Sequence, residues 1–214
     1  MKRISILFIF LFSLVQFSFA QQDPKAAKIL DAMSQKYQAM KAFKANFVQT
    51  LENSSAKIKE NMEGDITVSG NKFRLKMSGQ EVINNGTTIW TYMKSENEVN
   101  ISENDPDEQD LSPNKIFSMY KKGYKYAYVG DEKVGTEVCN VIELSPEDKS
   151  NPIFKVRMNI SKKDNSVKSW KMFKNNGNRY TFTIKQFTPN VPVDANTFAF
   201  DKTKYKGVKV IDLR

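Results

Sequence analysis

The side chains of this sequence that could do chemistry are its acids and one thiol, and their spacing argues against catalysis. There is no histidine in the 214 residues, which removes Ser-His-Asp and Cys-His nucleophile activation and the usual zinc sites. Glu63, Asp65, Glu81 and Glu143 alternate with apolar neighbours, as outward positions on strands do. Glycoside hydrolysis would need two carboxylates facing each other across a groove, and no acid, base and nucleophile set assembles from these. Asp105, Asp107, Glu108 and Asp110 offer oxygen ligands, but Pro106 interrupts them and the glycine and final glutamate of a calcium loop are missing. They read as a solvated charged loop. Cys139, in "TEVCNVIEL", reads as a small buried hydrophobe with no histidine to activate it, and a lone cysteine excludes an internal disulfide. The expectation is a protein that is not an enzyme and uses neither metal nor cofactor.

What the sequence has instead of a catalytic set is grease. "KFRLKMSGQEVINNGTTIWTYMKSENEVNIS", residues 72–102, reads as four short strands joined by tight turns, with Asn85-Gly86 a two-residue hairpin signal. It is expected to place Phe73, Leu75, Met77, Trp90 and Tyr92 on one face. Such a face is either ordinary core or the wall of a site for another apolar molecule.

The elements that would position this face begin after a secretory signal. "MKR", the apolar run "ISILFIFLFSLVQF" and "SFA" before Gln21 read as a cleavable signal peptide over residues 1–20, leaving 21–214 as a single exported domain. Losing Lys2 and Arg3 takes the formal charge from +9 to +7. The lysines are dispersed and alternate with apolar residues, the pattern of a wet sheet face, so nucleic acid is not an expected partner. A helix should start at Asp23-Pro24, carry Ala26, Ile29, Leu30, Met33, Tyr37 and Met40 on one stripe, and end near Ala42 or Phe43. Strands then follow, with later ones expected near 124–130, 135–145, 153–161, 166–174, 178–187, 197–200 and 208–212. So many short antiparallel strands imply a closed or nearly closed sheet. Ser112, Pro113 and Gly123 bracket a second, short helix whose apolar side is Ile116, Phe117, Met119 and Tyr120. It interrupts a meander that did not need it, as either a lid or a helix simply packed on the core would.

Four segments, in this order, resemble the periplasmic lipoprotein carrier family, LolA. They are "MKAFKANFVQT", "GDITVSGNKFRLKM", "INNGTTIWTYMKSENEVNI" and "VPVDANTFAFDKTKYKGVKVIDL". The resemblance implies a mainly β, α+β fold: an incomplete antiparallel β-barrel whose hydrophobic concave face is covered by an N-terminal helix and a lid helix. It implies a monomeric carrier that takes acylated lipoproteins from an inner-membrane lipoprotein-releasing ABC transporter to an outer-membrane acceptor. The acyl-chain cavity would be lined by Phe47, Phe73, Leu75, Trp90 and Tyr92, and by Met158, Trp170, Met172 and Phe182. Ile116, Phe117, Met119 and Tyr120 would form the lid. Many members carry an arginine followed by proline that holds the lid; here the turn reads Ser69-Gly70-Asn71, and Arg74 falls on the strand with parity opposite to Phe73. The gating role is not transferred to it. The alternatives on the same fold are an exported lipid-binding sensor or a carrier of another lipid.

Overall fold

A computed structural model describes residues 22–105, 115–194 and 196–214. The expected signal at 1–20 lies outside these residues, as do the expected helix cap at Ser112-Pro113 and Asp107, Glu108 and Asp110. Helix α1 spans Pro24–Gln38: the Asp23 carboxylate accepts from Lys25 N at 2.9 Å and Ala26 N at 3.2 Å, and Pro24 occupies the first turn. Its buried stripe is Ala26, Leu30, Met33 and Tyr37. The helix stops at Gln38, four residues before the earliest expected end. Phe43 and Ala45 are needed as strand residues instead, paired on both sides, with Val68 and Ile66 and with Pro189 and Phe187.

Twelve strands follow in one sheet. They are β1 (Phe43–Asn53), β2 (Ile58–Ser69), β3 (Lys72–Met77), β4 (Gln80–Asn84), β5 (Thr88–Met93) and β6 (Glu98–Glu103). The second half comprises β7 (Tyr124–Val134), β8 (Glu137–Pro146), β9 (Ile153–Ser161), β10 (Val167–Lys174), β11 (Arg179–Pro189) and β12 (Lys209–Asp212). The order is β12-β6-β5-β4-β3-β2-β1-β11-β10-β9-β8-β7. All neighbours are antiparallel except β12, which runs parallel to β6. The sheet is open, curled into an incomplete barrel with β7 and β12 as its edges. The expected strand at 197–200 is absent: Thr197 and Ala199 donate back to Asp194 O and Asn196 O, and the segment is a turn.

The second expected helix is also different. Lys115–Phe117 and Met119–Lys121 are separate 3-10 turns, broken at Ser118, whose φ is −132°. Two aromatic side chains draw the segment to different partners. Phe117 stacks on Tyr37, while the Tyr120 hydroxyl donates to Asp31 Oδ1 at 2.6 Å on α1.

The main core lies between α1, these turns and the concave face, with Leu30, Met33, Ile142, Leu144, Val156, Met158 and Ile160 at its centre. The β7 edge is closed by side chains rather than by another strand. Gln22 donates to Tyr124 O at 2.9 Å and accepts from Tyr126 N at 3.1 Å, and the second Asp23 oxygen accepts from Tyr128 N at 2.8 Å. Asp23 therefore ties the helix start to the sheet edge, and these hydrogen bonds hold its carboxyl below the usual range. A second apolar cluster sits on the convex side. The chain after β11 crosses β3–β6 there and buries Phe198 and Val208 along with Ile83 and Val99. No helix among the described residues is long and apolar enough to cross a membrane.

Candidate functional site

The concave face holds a cavity of about 220 Å³. Alternation on adjoining strands builds it. Phe43, Ala45, Phe47 and Gln49 come from β1, Ile66 and Val68 from β2, and Leu75 and Met77 from β3. The other wall is Trp170 and Met172 on β10 with Phe182, Ile184 and Phe187 on β11. Ile184 and Phe187 reach the same side although three residues apart, because the β1–β11 register shifts between Asn46 and Phe47 and leaves Lys185 as the extra residue. Among the described residues no charged side chain lines the cavity; Gln49, Tyr37 and the Trp170 indole N–H supply its polar side-chain groups. The Tyr37 hydroxyl is itself engaged, accepting from Val167 N at 3.1 Å, and burial pushes its pKa up to about 12. The site offers burial and no acid–base or nucleophilic chemistry.

The two ends of the cavity differ. At one, Phe117 stacks on Tyr37 with centroids 3.7 Å apart, and Phe43 meets both rings edge-on at 5.6 and 5.7 Å. Phe187 completes the cluster, 5.3 Å from Phe43 and 5.7 Å from Tyr37. Tyr37, Phe43, Val68 and Phe117 also line an outer cleft with Gln38, Met40, Gly70 and Ser118, so these four side chains border both the cavity and that cleft. At the other end Trp170 stacks on Phe182 at 4.7 Å with ring planes 8° apart, and Phe47 packs on Phe182 at 5.9 Å. Gly64 makes room for Phe47: a Cβ at 64 would lie 2.6 Å from its Cζ and 2.9 Å from Lys76 O.

The expected site residues therefore separate into groups. Phe47, Leu75, Trp170, Met172 and Phe182 line the cavity, with Ile116 and Phe117 above them. Phe73 and Met158 lie on the same face but in packed core outside the cavity lining. Met119 packs against the core, and Tyr120 anchors its turn to α1. Trp90 and Tyr92 do not share this face. Leu75 pairs with Val82, and Val82 with Thr91, which puts Thr91 on the concave side and sends Trp90 and Tyr92 to the convex one. There Tyr92 packs on Tyr205 at 4.6 Å and Tyr205 stacks on Phe200 at 4.7 Å. Arg74 joins them: it pairs with Glu81 at 2.6 Å and donates to Thr197 O and Tyr205 Oη, each at 3.3 Å. It holds the C-terminal segment to the sheet and has no place near the cavity. Among the lining residues not expected, Phe43 and Ala45 follow from β1 alternation, and Ile66 and Val68 from that of β2. Ile184 and Phe187 depend on the bulge.

The family model described as "Outer membrane lipoprotein carrier protein LolA" matches residues 38–201. No curated protein matches the sequence. Among solved structures, a conserved protein from Thermus thermophilus is similar at TM-score 0.58 and 13% identity, over 88% of this chain and 99% of that one. A LolA superfamily protein from Nitrosomonas europaea is similar at TM-score 0.45 and 13% identity, over 82% and 97%. An outer membrane lipoprotein-sorting protein domain from Vibrio parahaemolyticus is similar at TM-score 0.44 and 12% identity, over 81% and 97%. At these identities the likeness is one of fold.

Proposed function

The chain belongs to the outer membrane lipoprotein carrier family, LolA, and from that membership we propose that it is a periplasmic carrier of lipoproteins. It takes their acyl chains into the concave cavity and moves them from an inner-membrane ABC exporter to an outer-membrane acceptor. The observation that carries this reading is the cavity, lined by apolar side chains from five strands and free of charge. Burying acyl chain is worth ~0.8 kcal/mol per methylene, so about fifteen methylenes bring on the order of 10 kcal/mol. Capture is thus easy, and a carrier must keep release possible.

The cavity's size bears on that requirement. At about 220 Å³ it is below the ~300–1,000 Å³ of ordinary ligand pockets. A whole acyl chain must therefore widen it, and the aromatic end is where it widens. Phe117 sits on a segment of 3-10 turns and contributes one ring to the partition; swinging it off Tyr37 joins cavity and outer cleft. Methionines at the wall, Met77 and Met172, repack at low cost as the space grows. Ile116, Phe117, Met119 and Tyr120 act together as the lid, hinged on the Tyr120–Asp31 bond.

The test is mass spectrometry of the native protein purified without detergent from its own periplasm. Acylated lipoproteins at near-stoichiometric amounts are expected, with less cargo on Phe117→Asp. Protein that carries no lipid and accepts none on addition overturns the reading. Free phospholipid or glycolipid in place of lipoprotein would keep the cavity's role and change its cargo.

A further inference from the structure

A patch on the convex face, at the end of β1 and β2 remote from the aromatic partition, combines cations with exposed aromatic surface. The cross-strand register lines up Lys59 on β2, Glu52 on β1, Arg179 on β11, Phe173 on β10 and Lys155 on β9 in one outward row. A neighbouring row runs through Lys171, Arg157 and Glu143. Together these hold five cations against two carboxylates, and Lys57 lies on the adjoining turn. Phe154, beside Lys155, is 44% exposed.

The side chains are organised around the rings. The Arg179 guanidinium lies 5.1 Å from the Phe173 ring and 5.5 Å from Phe154, and Lys155 Nζ lies 4.6 Å above Phe173. Lys171 and Lys59 share Glu52 at 3.0 and 3.7 Å, while Glu143 takes Lys155 and Arg157. Each carboxylate thus serves two cations, and the surplus is positive. Arg179 makes its other bonds to the backbone carbonyls of Lys174 and Asn178, and among the described residues no carboxylate pairs with it.

We propose that this Phe154–Phe173–Arg179 patch docks the protein on anionic phospholipid headgroups. Lysines and arginines supply attraction to a negative surface, and exposed Phe154 is of the size and polarity to enter the headgroup boundary. Compact charge with apolar tips is the chemistry of an interface rather than of an acidic protein groove. Phe43 at the partition and Glu52 in the patch are nine residues apart on one strand, ~30 Å. The patch is also on the opposite side of the sheet from the cavity. A molecule seated this way turns its concave face away from the bilayer, so cargo is kept from leaking into the lipid. This docking goes beyond the carrier reading and does not depend on it.

The test is flotation of the apo protein with vesicles of phosphatidylcholine alone and of phosphatidylcholine with phosphatidylglycerol. Binding is expected only to the anionic vesicles, and it should vanish in about 1 M salt, where the Debye length is ~3 Å. Lys155→Glu with Arg179→Glu should lower partitioning by about tenfold or more, and Phe154→Ser should lower it without changing net charge. Lys72→Glu with Lys206→Glu makes the same charge change elsewhere and should have little effect. Equal loss from both double variants overturns the proposal, as does equal binding to the two vesicle types. Absence of flotation also overturns it and assigns the patch to an acidic protein face. Circular dichroism of each variant separates lost docking from lost fold, and acyl-probe binding in the cavity reports the carrier reading separately.

Discussion

Trp170 and Trp90, the two tryptophans of the chain, stand on opposite faces of the same sheet. Trp170 pairs with Phe182, and Phe182 with Gln49, on the concave side. Trp90 pairs with Ile83, and Ile83 with Arg74, on the convex side. One indole looks into the cavity and the other toward the C-terminal segment.

This separation gives a built-in reporter. A fatty acid carrying a bromine or spin-label quencher on its chain should quench Trp170 emission in a Trp90→Phe variant. The same ligand should leave Trp90 emission nearly unchanged in Trp170→Phe. Quenching of Trp90 alone would mean that the chain binds on the convex side.

Gly64→Val should fill the wall opposite Phe47. A branched side chain has no room between the Phe47 ring and Lys76 O, so overpacking should cost about 1–3 kcal/mol. Urea unfolding would show a lower midpoint with unchanged slope, and quenching at Trp170 should weaken. Full stability with full ligand binding would show that the sheet opens freely at this point.

Arg74→Ala should loosen the C-terminal segment and spare the cavity. It breaks the Glu81 pair and two further hydrogen bonds, about 1.5–3 kcal/mol in all for a half-buried charged group. Hydrogen exchange should quicken over residues 196–212 and stay slow in β7–β9. Loss of acyl-probe binding with the segment still protected would assign Arg74 a role in the cavity after all.

Alkaline pH should act through the four tyrosines whose pKa burial raises, Tyr37, Tyr120, Tyr124 and Tyr205. Burial raises Tyr37 to about 12, and burial with the nearby Glu81 carboxylate raises Tyr205 to about 12, both from 10.0. A folded-state value above the unfolded one favours the native state fully below pH 10 and less as pH climbs toward 12. Denaturant midpoints should fall across that window, and Tyr205→Phe should flatten part of the fall. Tyrosinate absorbance should show a late-titrating class that shrinks in the same variant. An identical pH profile for Tyr205→Phe would place the drop elsewhere.

Asp23→Ala should harm both the helix start and the β7 edge. Its two oxygens serve Lys25 N, Ala26 N and Tyr128 N. Lower thermal stability and faster aggregation through the uncovered edge are expected. Asp23→Ser should restore the cap better than the edge, so its stability should recover more than its solubility.

The sequence alone determined what is local. Asp23-Pro24 marks the helix start, period-two alternation marks the strands, and Asn85-Gly86 marks a hairpin whose loop closes with Asn85 N bonded to Thr88 O. The face of Trp90 was legible too. The β3–β4 and β4–β5 pairings each set odd against even numbers, so odd-numbered Leu75 shares its side with odd-numbered Thr91. An expectation that Trp90 and Tyr92 share the face of Leu75 runs against that count. Tertiary structure decided the rest, where distant segments compete for the same residues. Phe43 leaves the helix because two strands pair with it, and Lys185 bulges so that Ile184 and Phe187 can both face inward. The Phe198 segment becomes a turn because the convex side of β3–β6 is there to bury it. Those outcomes depend on partners from about 25 to more than a hundred residues away, and no local periodicity carries them.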